Sequence, residues 1–230
     1  MNDDHDLREF RNVCRLFPLP GVVLFPHSVL PLHIFEPRYR QMTEDALHSD
    51  RFVTIVQPRL ENDEPCGDPL PLEPVACLGK VLNCERLANG RFNFLLLGLK
   101  RVRLIREVST DRLYRQAEAE LLDDDPPEEP EEPRRSDLIH LFRTVSLRQE
   151  VLDPDLAQLL ETGLSLGALT DIVAHAMGLP PAIKQAFLAD CCVERRADGL
   201  IDILRQFADR VSGGGATEAS KPFPPPFSIN

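Results

Sequence analysis

Cys191 and Cys192 stand side by side just before a long amphipathic stretch, with His175 upstream. A thiol at a helix N-terminus is held toward its thiolate, and an imidazole in reach takes its proton, so the trio suits a cysteine nucleophile. The same residues also suit a packed junction between helices, and that is the role we assign them. Zinc chemistry is offered by Cys66, Cys77 and Cys84 with His27 and His33. They lack paired CxxC spacing and both histidines fall in an apolar strand region, so core or surface roles are expected. Residues 123–132 carry seven carboxylates, from Asp123 to Glu132, and no basic side chain. Prolines keep that run extended, which spreads its oxygens instead of converging them on a cation. The four lysines are Lys80, Lys100, Lys184 and Lys221, and none completes a GxxxxGK[ST] phosphate loop. No serine is read as the nucleophile of a GxSxG elbow. We therefore assign no catalytic residue, no metal and no cofactor, and expect a protein that is not an enzyme.

The elements that hold these residues change character along the chain. Residues 10–122 read as β-rich. Val13–Phe17 and Leu30–Phe35 have strand character, joined by PLPG and FPHS pieces whose prolines belong in turns or at an edge. Phe52–Gln57 is a short β-branched strand. Val75–Leu87 and Arg91–Leu97 flank Asn89-Gly90, a pair tolerant of positive φ, and predict a hairpin that continues past Gly98 to Glu107. Tyr114–Leu121 alternates with a polar face, which suits an exposed or edge strand. One helix opens at Pro37, with Tyr39, Met42, Ala46 and Leu47 on one face. About six strands and one helix predict a partly closed barrel with a covering helix.

Residues 123–135 (DDDPPEEPEEPRR) read as an acidic, extended linker. Residues 136–211 read as a helical subdomain. Ser136 is expected to cap its first helix, Asp153-Pro154 to open a second, and residues 168–177, 181–189 and 193–211 to supply the others. Residues 212–230 read as a disordered tail. Its KPFPPPF core has polyproline II character, set against the plain alternative of a flexible terminus.

A net charge of −11, concentrated in the linker, argues against nucleic acid as a partner, because counterion release needs a basic face. The N-terminal MNDDHDLREF lacks the apolar core of a signal peptide. No apolar run reaches the roughly 18 residues of a membrane span. Scattered cysteines fit reduced thiols, so a cytoplasmic protein without a membrane partner is expected.

Three segments carry a family resemblance: FPLPGVVLFPHSVLPLHIFEPRYRQM (17–42), NGRFNFLLLGLKRVRL (89–104) and LTDIVAHAMGLPPAIKQAFLADCCVERRADGLIDIL (169–204). In this order they resemble the N-terminal substrate-binding domain of Lon proteases, a module also found in cereblon-type adaptors. The resemblance implies an α+β fold: a PUA-like β pseudobarrel with one covering helix, followed by an α-helical bundle. It implies a stand-alone, non-catalytic module without the ATPase and peptidase domains. Its partners would be polypeptides, unfolded or degron-bearing, and an ATP-dependent protease to which it acts as adaptor. Phe35, Glu36, Arg38, Tyr39 and Arg101 are the candidate peptide contacts. Alternatively, Glu36 caps the helix or pairs with an arginine such as Arg101 while Phe35 and Tyr39 fill the core. Two other functions remain open, an RNA-binding barrel using Arg101, Arg103 and Arg106, and a small-molecule barrel. The oligomeric state is not set by the sequence.

Overall fold

The computed structural model describes residues 7–61, 64–65, 70–126, 128, 130–148, 158, 160 and 162–212. The expected tail with KPFPPPF, Cys66 and the opening of the Asp153-Pro154 helix lie outside the described residues. The chain divides into two units. One takes residues 7–123 with Leu179–Ala189, and the other Asp124–Gly178 with the residues from Asp190 onward.

The first unit is organised by strand β7 (Phe92–Val108), 17 residues long. The other strands of its sheet are β1 (Val13–Pro18), β2 (Val29–Ile34), β3 (Phe52–Val56), β6 (Val75–Arg86) and β8 (Gln116–Leu122). A separate two-stranded ribbon pairs β4 (Leu60–Glu61) with β5 (Glu64–Pro65). The sheet order is β2-β7-β6-β3-β1-β8, with β7 pairing again to β8. β7 serves both neighbours by dividing its length. Phe92–Leu97 pairs with β2, and Arg101–Val108 pairs with β8. The second pairing closes β7, β6, β3, β1 and β8 into a barrel, and β2 remains as an edge strand. Of the two readings of β8, exposed or edge, the edge does not hold, because it is paired on both sides, to β1 and β7. Its polar face is the outer surface of a closed barrel.

A β-bulge in β7 opposite Leu78/Gly79 places an extra residue, Leu99, beside Gly98. The bulge lets Leu97 and Leu99 both join the core, with Leu16, Val56, Ala76, Leu78, Val102 and Ala117. The proline-rich connection between β1 and β2 is packed inward, with Leu19, Val23, Leu24 and Phe25 all buried. Its backbone is satisfied by two anchors. Gln57 donates through Nε2 to Leu19 O (3.0 Å) and Val22 O, and its Oε1 accepts from Gly21 N at 3.2 Å. Gly98 donates to Ser28 O and accepts from His27 N, each at 2.8 Å. A Cβ on Gly98 would overlap Phe25 O, so only glycine admits this loop against the strand.

Helix α1 (Pro37–Leu47) buries Tyr39, Met42, Thr43 and Ala46, and Pro37 occupies its first turn, where no donor is lost. The helix over Pro181–Ala189, here α4, was expected within the helical subdomain but groups with the barrel. Gln185 Nε2 donates to Val75 O at 2.9 Å, and Arg101 Nε donates to Leu188 O at 2.9 Å.

The second unit contains α2 (Glu132–Arg148), α3 (Leu166–Ala176) and α5 (Val193–Ser212). α2 begins before Ser136, which therefore lies inside the helix and does not cap it. Glu132 in its first turn suits the positive end of the helix dipole. α3 begins after Ser165, whose Oγ accepts from Ala168 N at 3.2 Å. The expected stripe on α5 is buried at Val193, Ala197, Leu200 and Leu204. The acidic linker is tied down at several points: Asp124 pairs with Arg196, Asp125 forms an isolated bridge with Cys192, and Glu131 accepts from Leu166 N.

Candidate functional site

A groove of about 400 Å³ opens on the barrel unit. One wall is the end of β1 and its following turn, Phe17 to Pro20. The other is Leu32 to Phe35 at the end of β2, and Glu36, Arg38 and Tyr39 enter from the start of α1. The strand period decides what each residue offers. Leu32 and Ile34 point inward and are buried, whereas His33 and Phe35 face outward. Phe35 is 36% exposed, and its ring stacks on His33 with centroids 6.2 Å apart. Below them Tyr39 packs on Phe17 at 4.1 Å, and burial raises the Tyr39 phenol pKa. The Arg38 guanidinium lies 4.5 Å from the centre of the Tyr39 ring, and its Nε donates to Glu36 Oε2 at 2.9 Å.

Phe35, Glu36, Arg38 and Tyr39 thus come together, as continuity in sequence requires. Glu36 makes no side-chain cap for α1; it pairs with an arginine as the alternative expected, and that arginine is Arg38 instead of Arg101. Arg101 is not in the groove. It is 2% exposed and covered by α4 through its bond to Leu188 O. Its alternation in β7 directs it away from the barrel interior. A helix more than 80 positions later then covers that face, and no local pattern announces this. Phe17 and His33 were not picked as candidates. Their signal was membership of the same apolar, proline-punctuated segment.

β2 leaves its second edge without a strand partner among the described residues. The bond from Gly98 N to Ser28 O fixes the phase of the ladder, so even-numbered residues of β2 turn their backbone groups to β7. Pro31 then falls at an outward position, where its missing N–H costs the ladder nothing and removes one donor from the free edge.

The arginines considered for RNA are engaged elsewhere. Arg103 pairs with Glu120 at 2.7 Å, Arg106 pairs with Glu118, and Arg101 is buried. The remaining chemical candidates have structural places. Cys192 precedes α5, with its N–H donating to Asp190 Oδ1 at 2.9 Å and its carbonyl accepting from Arg196 N. Cys191 and Cys192 are not in a disulfide, and both are half-buried. Among the described residues no group of three His, Cys, Asp or Glu is placed to hold a metal ion. The sequence does contain the GxSxG spacing once, Gly163 to Gly167, contrary to expectation. It is not an elbow: irregular chain precedes Ser165, and its hydroxyl oxygen caps α3. No described helix is long and apolar enough to cross a membrane.

A closed barrel with α1 and α4 packed on it, a groove at the strand-to-helix junction and a helical unit define an α+β, PUA-like pseudobarrel protein. The model of the ATP-dependent protease La (LON) substrate-binding domain matches residues 13–206, and the chain belongs to that family. A Lon protease of Xanthomonas oryzae is 31% identical over 90% of this chain and 25% of its own length. A Lon protease of Heliobacterium modesticaldum is 22% identical over 89% of this chain, again 25% of its own length. The chain thus spans about a quarter of these relatives. The N-terminal domain of a Mycobacterium avium complex Lon protease superposes with a TM-score of 0.67 at 18% identity, covering 84% of this chain and 98% of that one. A Lon N-terminal domain protein from Xanthomonas campestris gives 0.58 at 20% identity, covering 83% and 97%. These likenesses establish the fold.

Proposed function

We propose that this chain binds polypeptides non-catalytically, holding exposed apolar segments of unfolded or degron-bearing clients for an ATP-dependent protease. The observation that carries this reading is the exposed Phe35 ring above the Tyr39–Phe17 floor, beside the free edge of β2. An apolar groove of about 400 Å³ is within the size range of ligand sites and accepts a few side chains of an extended peptide. His33 supplies outward backbone groups next to the groove, so a client can add hydrogen bonds to side-chain burial. Pro31 interrupts that pairing and keeps binding weak and reversible. Family membership supports a substrate-binding role, and engagement of Arg101, Arg103 and Arg106 weighs against RNA.

The test is fluorescence anisotropy with labelled apolar peptides, without ATP. Binding to the wild-type chain and its loss in Phe35→Ala are expected. A peptide panel that binds no better than a polar control would overturn the proposal.

A further inference from the structure

Tyr39 brings a polar atom to the groove that burial of apolar client side chains leaves unused. The chain has two tyrosines, Tyr39 and Tyr114, which are 5% and 4% exposed. A buried tyrosine ordinarily finds a partner for its hydroxyl. Tyr114 does so, donating to Asp45 Oδ2 at 2.9 Å. Tyr39 Oη meets no hydrogen-bond partner among the described residues, yet it is not sealed from solvent. Tyr39 lines the groove, so its small exposed remainder opens there. We propose that Tyr39 Oη donates to a main-chain carbonyl of the bound polypeptide and so fixes the client's register. The inference rests on the polypeptide-binding reading above and names the group by which the same site reads its client.

Packing alone does not call for the hydroxyl. The ring rests on Phe17 with centroids 4.1 Å apart and carries the Arg38 guanidinium 4.5 Å from its centre. A phenylalanine would serve both contacts. Burial raises the phenol pKa, so the group stays a neutral donor. Once an occupant excludes water, that donor needs an acceptor or becomes a bond left unmade. A neutral acceptor suits the groove best. Its two ionised rim side chains, Glu36 and Arg38, are spent on each other at 2.9 Å, so a charged occupant finds no counter-ion there. In an apolar segment the neutral acceptors are the main-chain carbonyls. Every residue has one, proline included, so the contact tolerates any apolar sequence and still holds the chain in place.

The test uses the full chain and its Tyr39→Phe variant, with thermal melts alongside fluorescence anisotropy. The probe is a fluorescein-labelled peptide of leucine, valine and alanine with lysine at its ends. A set of analogues replaces one amide at a time by an ester, whose carbonyl is a weaker acceptor. Tyr39→Phe is expected to melt as the wild type does, because no protein group loses a partner. It is expected to bind the all-amide peptide about fivefold more weakly, in line with one net hydrogen bond. One ester position is expected to weaken binding to the wild type and to leave binding to Tyr39→Phe unchanged. If Tyr39→Phe binds as tightly as wild type, if its melting temperature falls along with its affinity, or if no ester position distinguishes the two chains, the hydroxyl contact is refuted while client binding stands. If the peptide binds neither chain, the polypeptide-binding reading fails and this one with it.

Discussion

Arg196 and Asp124, 72 positions apart in sequence, meet in a two-pronged ion pair with Nη1–Oδ1 and Nη2–Oδ2 both at 2.8 Å. The arginine side chain is 1% exposed and also reaches Asp190 O, Thr170 Oγ1 and, at 3.8 Å, Asp171. A planar guanidinium with several fixed acceptors satisfies a charge that would otherwise be costly to bury. The linker is therefore bound at its start to α5. Asp124→Ala is expected to lower the unfolding free energy by about 3 kcal/mol or more, because it leaves a buried charge short of partners. Asp123→Ala is the contrast. Its carboxylate is 86% exposed where it meets Lys100, and its loss is expected to cost less than about 1 kcal/mol. Urea unfolding of both variants measures the difference, and equal effects would refute the anchor.

Glycine at position 98 is held by contact, not by positive φ. Gly98→Ala must push back the loop carbonyl of Phe25 and is expected to cost about 3 kcal/mol. A Cβ at Gly163 meets nothing within 4 Å, so Gly163→Ala is expected to be neutral or slightly stabilising. Thermal melts of the two variants, run together, test the distinction.

Burial draws the Lys184 ammonium on α4 down to about 8 from 10.5. Below pH 8 both folded and unfolded chains carry the charge, and the penalty is constant. Between pH 8 and 10.5 the unfolded chain holds more protons, so this group makes stability rise with pH. Burial also raises the Cys14 thiol to about 11 and the Tyr114 phenol to about 12, which lowers stability at alkaline pH and opposes the lysine. Comparison with Lys184→Met isolates the lysine. The variant is expected to be more stable by about 1–2 kcal/mol at pH 7, allowing for partial solvation of the ammonium. The gap is expected to close by pH 10.5. A gap that widens across this range would contradict the assignment.

Phe35 and Arg101 are expected to separate binding from folding. Phe35→Ala truncates an exposed ring and should change stability by less than about 0.5 kcal/mol while abolishing peptide binding. Arg101→Ala removes a buried side chain from the barrel–α4 contact and should lower stability by about 2 kcal/mol or more. Paired melts and peptide titrations decide this. A Phe35→Ala variant that binds normally would move the site elsewhere.

Local pattern reached far into this fold. Asn89-Gly90 marked the hairpin, Pro37 marked the start of α1, the period-2 alternation of Leu30–Phe35 marked β2, and the β-branched run Phe52–Gln57 marked β3. What stayed hidden was set by residues distant in sequence. Nothing local to β7 says that its first half pairs with β2 and its second half with β8. Nothing near Arg101 announces that Leu188 will cover it, and nothing in DDDPP singles out Asp124 as the acid that Arg196 binds. The site was legible in the same measure. Phe35 to Tyr39 are contiguous and arrive together, whereas Phe17 reaches Tyr39 only through the buried loop that Gln57 and Gly98 hold.

The helix α4 completes a barrel whose last strand ends nearly 60 residues before it. On a ribosome the strands emerge first, and the Asp124–Gly178 part of the second unit follows before α4 is made. At about 5–20 residues per second, the stretch from Asp123 to Ala189 takes about 3–13 s to synthesise. During that interval the face around Val75 and Arg101 awaits its cover, exposed to chaperones and to neighbouring nascent chains. The order of birth, as much as the final packing, therefore decides how long this patch stays uncovered.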